Sequence, residues 1–521
     1  MSKRSNTLMP VSASDNPNFA YFGIAVGIIN IMIPIDEHDI LTSVDLSFNM
    51  DGLPISKSSK ICFWPILVSI DNYSTLKNHP FVAAIYCGQE KPKLDLYLSK
   101  FTLELKQLME EGLLIKNVDV KVNVRAFICD TPARTMLKQT KGHGGYFCCE
   151  RCTTRGEYHE FNKTTSYPEI NANKRTHTAF MMQTDSDHHV GKSPLEQLSI
   201  DFIKDFVLDY MHAILLGSMK RLLNLWFTKI PYKVSSQTKT SVSKDLLVFR
   251  QLTPREFRRR PRSLDELERW KAVEMRTFLL YVGALAIKGQ VKDDYFKHFL
   301  LLFYAIRILC SPKLSALDSF IDYAEKLLHK FIGMYPKIYK RSAVVYNIHL
   351  LQHIPDDVRR YGQLDGISAF KYENKLKSIK DKIRSGNLPL TQISNRLAEA
   401  AQHVPVSGCN RDSTGEKATK AISQKLNVSN CVIDPQVEKD SYLILKDGQF
   451  GFLIKVNENF LEVGIYTDFE SAFDYPCQSS LIEFWKIDKS KWKKMKVHKS
   501  DCVAKCFSLV KKNDFYLISM I

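Results

Sequence analysis

Three acids stand out because of what precedes them. Asp51 follows the alternating run "TSVDLSFNM" and opens "DGLP", a turn signal. Asp130 ends the strand-like run "VKVNVRAFIC", and Glu373 lies in "SAFKYENKLKSIKDKIRSG", which has a helical period and a Gly stop. If the first and fourth strands of a sheet are neighbours, acids at their C-terminal ends sit side by side. A helix packed on the sheet can bring a third acid to the same place. Three such acids repel one another unless divalent cations neutralise them. Oxygen donors of this kind suit Mg²⁺ or Mn²⁺. Two such ions can activate an attacking oxygen and stabilise a leaving one in phosphodiester chemistry. Taken singly, Asp51 also reads as a turn residue, Asp130 as a helix cap and Glu373 as a solvated face. Asp45 rivals Asp51 for the first position, but it falls inside its strand rather than at the end.

A second set of donors is softer. Cys149 and Cys152 form a C-x-x-C after the glycine-rich turn of "GHGGYFCCERC". His349 and His353 are spaced i, i+4, so both imidazoles share one helix face. Together they make a Cys2His2 set suited to tetrahedral Zn²⁺. The pairs are 349 − 152 = 197 residues apart, unlike a zinc finger, so the ion would join distant parts of the fold. Cys148 can replace Cys149, and His143 is an alternative ligand. The bland readings are a polar helix face for the histidines and buried small hydrophobes for the cysteines. Asp209 and His212 form a D-x-x-H, either a helix cap with a core histidine or a helper beside the metal or DNA site.

The elements that must position these residues follow from period. "ICFWPILVSI" and "FVAAIYCG" read as continuous buried strands after the first, alternating one. "KLDLYLSKFTLELKQLMEEG" is a helix ending at Gly112, and the strand to Asp130 follows it. "DFVLDYMH" is a candidate fifth strand ending near Asp209. From Ala213 to about Val344 the chain reads as mostly helical, with a basic Ser/Thr-rich loop at roughly 229–262. The apolar run from Tyr21 to Ile35 is too short for a membrane span and reads as a buried strand or short helix. After a polar Gly/Ser/Thr-rich linker the period becomes two, with a hairpin signal at "KDGQF". This predicts a small β barrel or sandwich.

Length and charge bound the rest. The chain has 521 residues, enough for two or three domains. Twelve cysteines are scattered rather than framed, which argues for reduced thiols and against a disulfide scaffold. Lys and Arg number 73 against 56 Asp and Glu, a net charge of +17, which favours a polyanionic partner. The surplus clusters in "REFRRRPR", Arg255 to Arg262, and in "KIDKSKWKKMKVHK", Lys486 to Lys499. Either cluster reads as a solvated face or as a nucleic-acid contact.

In this order, "MDGLPISKSSKICFWPIL", "CDTPAR", "GYFCCERC", "LDYMHAILLG", "NIHLLQHIPDDV" and "FKYENKLKSI" resemble successive blocks of the CACTA/En-Spm-type DDE transposases, closest to their animal, transposon-derived members. The likeness covers roughly residues 45–400. It implies Asp51, Asp130 and Glu373 as the catalytic, Mg²⁺-binding acids, Cys149 and Cys152 as zinc ligands, and Asp209 with His212 as the auxiliary pair. The V(D)J recombinase core, related by the same resemblance, places two histidines shortly before its catalytic glutamate. Here 373 − 353 = 20 residues separate His353 from Glu373, which fits. No zinc-finger-like DNA-binding module stands before the core, which fits a truncated or domesticated copy.

The resemblance implies an α/β fold with an RNase H-like core interrupted by a mostly helical insertion, followed by a small all-β domain. The boundaries expected are an N-terminal extension at 1–37, core at 38–212, insertion at 213–344, core with the zinc histidines and catalytic Glu at 345–403, linker at 404–430 and β domain at 431–521. The implied partner is double-stranded DNA, gripped through Arg258, Arg259 and Arg260 of the insertion, in the nucleus. No membrane contact is expected, and assembly into a homo-oligomer is allowed.

Overall fold

The computed structural model describes residues 12–13, 16–56, 60–402, 425–428 and 431–521. Most of the linker expected at 404–430 therefore lies outside the described residues. Its Leu426–Val428 is not open chain: it pairs antiparallel with Cys431–Ile433. The protein is mixed α/β and divides into two compact units, Met1–Ala213 with Asp365–Asp412, and Ile214–Leu364 with Ser413–Ile521. No helix among the described residues is long and apolar enough to cross a membrane.

The first unit is built on a mixed sheet. Its main strands are β1 (Phe19–Tyr21), β2 (Ser43–Met50), β3 (Cys62–Ile70), β4 (Phe81–Gly88), β5 (Val118–Cys129) and β6 (Phe206–Leu208). Their spatial order is β1-β4-β3-β2-β5-β6. β3 runs antiparallel to both β2 and β4, whereas β5 runs parallel to β2 and to β6. Three parallel strands, β2, β5 and β6, thus stand side by side. Phe48 pairs with Phe127 and Leu208 with Cys129, so all three finish at one edge of the sheet.

These strands have apolar runs because both of their faces are covered. Phe48, Phe127 and Phe206 form a row across them, with centroids 5.2 and 4.6 Å apart. Helix α2 (Leu94–Glu111) sets Phe101 edge-on against Phe48 at 5.2 Å. It stops at Gly112, where φ is +70° and a Cβ would come 2.8 Å from the Val120 carbonyl oxygen. Only glycine suits both demands. The run from Tyr21 to Ile35 resolves into the end of β1 and helix α1 (Ile24–Met32). The Glu104 carboxylate accepts the N–H groups of Ile24 and Ala25 at the start of α1.

The second unit contains long helices and a separate, all-antiparallel sheet. Asp293–Cys310 is buried on every side over its last three turns, as expected of a helix at the centre of its unit. One sequence expectation fails here. The basic Ser/Thr-rich stretch holds a helix, Ser236–Leu252, not a continuous loop. Ser235 caps it by accepting the Thr238 N–H, and Val242, Leu246 and Phe249 form its buried stripe. Tertiary burial of that stripe outweighs the poor helix propensity of its serines and threonines.

The eight strands of the C-terminal sheet run, in spatial order, Phe469–Ser471, Phe484–Ile487, Asp514–Ser519, Cys502–Lys511, Tyr442–Leu445, Phe450–Val456, Phe460–Tyr466 and Trp492–His498. The hairpin at "KDGQF" joins Tyr442–Leu445 to Phe450–Val456. Leu443 and Leu445 enter one apolar cluster, Tyr442 and Ile444 another, so the period-two pattern has a buried face on each side. Buried cations fix this sheet to helices of the same unit. Arg307 donates to the carbonyls of Leu280, Ile482 and Ser519, and Lys511 donates to those of Leu285, Ala286 and Lys288.

Candidate functional site

Asp51, Asp130 and Asp209 each stand one residue beyond the C-terminal end of β2, β5 and β6. In α/β sheets this rim is where ligands bind. Each aspartate also has a local task. Asp51 accepts the Gly52 N–H at 2.6 Å. Asp130 caps helix α3 (Thr131–Lys138) by accepting the Ala133 N–H at 2.8 Å. The structural and the chemical readings of Asp130 are therefore compatible.

Asp209 is fully buried and does more. It accepts the N–H groups of Met211 and His212, and the His212 ring at Nδ1, 2.6 Å away. It also accepts the N–H of Ala369, 2.8 Å away and 160 residues later. Ala369 precedes helix α4 (Phe370–Asp381), which carries Glu373. One carboxylate thus joins the end of β6 to the start of the glutamate helix.

The second and third residues of α4 are anchors as well. Lys371 pairs with the buried Asp71 at 2.5 Å, and Asp71 also accepts from Ser47, Ser69 and Arg125. The Tyr372 hydroxyl bonds Ser69 Oγ at 2.8 Å. Ser47, Ser69 and Arg125 lie on β2, β3 and β5, so α4 is fixed to three strands immediately before Glu373.

The result is a cluster. A carboxylate oxygen of Asp51, a ring nitrogen of His212 and a carboxylate oxygen of Glu373 all lie within 4.8 Å of one another. Asp130 is not in that triplet, but its charge reaches Asp51. Burial, then the charges of Asp130 and Glu373, push the Asp51 carboxyl up to about 7, with His212 opposing them. Burial alone would lower His212. The Asp209 hydrogen bond and charge, with Asp51 and Asp130, override it and raise the imidazole to about 9. Asp45, the rival first acid, accepts instead from Asn123 on the neighbouring strand.

The softer donors also meet. Cys149, Cys152, His349 and His353 are buried, and one ligand atom from each lies within 4.8 Å of the others. This donor set could hold a metal ion such as zinc. The two sulfurs are 3.5 Å apart and the two imidazole centroids 5.4 Å apart. Neither Cys148, buried beside the pair, nor the exposed His143 belongs to this group. The adjacent Cys149 sulfur and burial push the Cys152 thiol well up, an electrostatic strain that a bound cation would reverse.

Sequence reasoning missed the residue between the two cysteines. Glu150 is fully buried and pairs with Arg134 at 2.7 Å and Lys138 at 3.4 Å. Burial would raise its carboxyl, but these two cations pull it down to about 2. Both cations sit on α3, the helix that Asp130 caps. The carboxylate and the C-x-x-C are therefore close in sequence because one short helix positions both. The i, i+4 spacing of Arg134 and Lys138, with an acid inside the cysteine block, was the available signal.

Of the basic cluster, Arg258, Arg259 and Arg260 are exposed, with no hydrogen bond or ion pair among the described residues. Their flanking arginines are structural: Arg255 holds Asp434 and Asp440, and Arg262 holds Glu266 and Glu274. Lys493, Lys494 and Lys496 decorate an edge strand, where charge also discourages strand pairing with another chain. Compared with protein-family models and with curated proteins, the sequence finds no match in either.

Proposed function

We propose that the protein is a DDE-type DNA transposase or endonuclease of the CACTA/En-Spm kind, with its first unit an RNase H-like core. The strand order supports this reading of the fold: three antiparallel strands, then two strands parallel to the first of them. The observation that carries the function is the gathering of Asp51, Glu373 and His212, with Asp130 alongside, at the ends of adjacent parallel strands. Stability does not explain a half-buried site where the charges of Asp130 and Glu373 raise the Asp51 carboxyl. Divalent cations bound there would neutralise that charge, activate water against a phosphodiester and stabilise the departing 3′ oxygen.

The chain's own residues have distinct parts. Asp51 and Glu373 offer oxygens from a strand end and a helix. Asp130 offers a third from the neighbouring strand end. Asp209 orients His212 and, through Ala369, the helix of Glu373. Arg258, Arg259 and Arg260 are free to meet the phosphates of double-stranded DNA, with an affinity set by counterion release. The four Cys and His donors would hold a structural Zn²⁺. A DNA substrate of this kind places the protein in the nucleus.

The test is a plasmid-nicking assay with Mg²⁺ or Mn²⁺, beside a binding assay on the same DNA. Wild type should nick. Asp51→Asn and Glu373→Gln should bind as well as wild type and nick at background. If Asp51→Asn nicks as well as wild type, the DDE assignment is wrong. If wild type binds DNA well but nicks nothing with either metal, the protein is a domesticated, catalytically silent binder.

A further inference from the structure

We infer that His212 is itself a ligand of the cation held by Asp51 and Glu373, giving a mixed oxygen–nitrogen site that selects a first-row transition ion, Mn²⁺ ahead of Mg²⁺. This rests on the metal site of the reading above, but not on its DNA chemistry.

The first support is proximity, since a ring nitrogen of His212 shares the 4.8 Å triplet with both carboxylates. The second is orientation. Nδ1 is engaged by Asp209 Oδ2 at 2.6 Å, which leaves Nε2 as the nitrogen to face a cation. A histidine ligand ordinarily donates its other ring N–H to a carboxylate, which sets the tautomer and holds the ring. The third is rigidity. Asp209 is fixed by the backbone N–H groups of Met211, His212 and Ala369, so the partner that aims the ring cannot swing.

His212 is also partly open, with 27% of its side chain exposed, whereas Asp209 has none. The ring therefore borders accessible space while its support is sealed in. Oxygen donors alone distinguish Mn²⁺ from Mg²⁺ poorly, whereas an imidazole favours the transition ion. His212 would then be the residue that sets metal preference, with Asp209 as its positioning partner.

The experiment uses the full, zinc-loaded chain without DNA. Mn²⁺ and Mg²⁺ are titrated by calorimetry, and bound Mn²⁺ is examined by electron spin-echo spectroscopy for nitrogen coupling. Wild type should bind Mn²⁺ more tightly than Mg²⁺ and show that coupling. His212→Gln should lose the coupling and about 10–100-fold in Mn²⁺ affinity, with a much smaller change for Mg²⁺. If His212→Gln does not fold, ¹⁵N-histidine labelling of wild type decides whether the bound ion carries an imidazole. Mn²⁺ whose binding needs Asp51 but which shows no nitrogen coupling would overturn the inference and leave the carboxylate site standing. If Asp51→Asn leaves the binding of both ions unchanged, the metal site itself fails.

Discussion

Two ionic clusters in this protein follow opposite rules. In the second unit, Arg255, Lys425 and Lys505 interlock with Glu256, Asp434 and Asp440, three cations against three carboxylates. Lys505 is fully buried and reaches Asp440 at 2.7 Å and Glu256 at 2.9 Å. At the strand ends of the first unit, Asp51, Asp130, Asp209 and Glu373 gather about one imidazole. The balanced cluster fixes the C-terminal sheet to the turn that follows helix Ser236–Leu252, each charge matched by an opposite one. The unbalanced one keeps its excess charge on rigid supports, at a cost in stability. Under the proposed function, a bound cation would neutralise that excess.

The contrast can be broken most sharply at Lys505. Replacing it with Met leaves Glu256 and Asp440 without their buried partner. The loss should be ~3–5 kcal/mol, read from urea denaturation. A neutral result would mean that the balanced cluster is not structural.

Asp51→Asn should act in the opposite direction. The Asp51 carboxyl titrates at about 7 in the fold against 3.8 as the unperturbed value. Its charge is therefore a penalty on the folded state, absent below about 3.8 and complete above about 7. Metal-free Asp51→Asn should be more stable than wild type by ~1–3 kcal/mol at pH 8, the gain being trimmed because His212 loses a partner. That gain should shrink as the pH falls toward 4. Added Mn²⁺ should stabilise wild type and not the variant. If both respond equally in a thermal-shift series, the acids are not the cation site.

A smaller effect is expected at Tyr372→Phe. It removes one hydrogen bond to Ser69 and should cost ~1 kcal/mol in the same denaturation assay. The smallest stability effect belongs to Arg258, Arg259 and Arg260. Changing all three to Gln should move stability by no more than ~0.5 kcal/mol. DNA affinity should nevertheless fall, and its log–log salt slope should flatten by up to ~0.9 for each phosphate no longer neutralised. An unchanged salt slope would remove these arginines from the DNA-binding surface.

Local pattern made the first unit's strands and helix α2 legible. Asp51 and Asp130 can be singled out because each directly follows a run with the period of a strand, "TSVDLSFNM" and "VKVNVRAFIC". The i, i+4 histidines and the C-x-x-C are equally visible. The supports are not. The Asp209–Ala369 bond spans 160 residues and the Lys371–Asp71 bond spans 300. No period in the sequence encodes such pairings, since they depend on how the sheet and its helices come together. His212 reads as an auxiliary for the same reason: its place among the acids follows from Asp209, whose anchor is distant. The helix Ser236–Leu252 is hidden by composition, because its Ser, Thr and Lys outnumber its few buried apolar residues.

The site is also divided in time. Its strand-end acids belong to the stretch ending at Ala213, whereas Glu373 belongs to the stretch beginning at Asp365, 365 − 213 = 152 residues later. A ribosome adding ~5–20 residues per second takes roughly 8–30 s to cross that gap. Throughout the interval Asp209 has no Ala369 to hold, and Asp51 has no glutamate beside it. A nascent chain thus emerges with its carboxylate cluster unassembled. Under the proposed function, cleavage would wait until the intervening helices have left the tunnel and Glu373 has joined the strand-end acids.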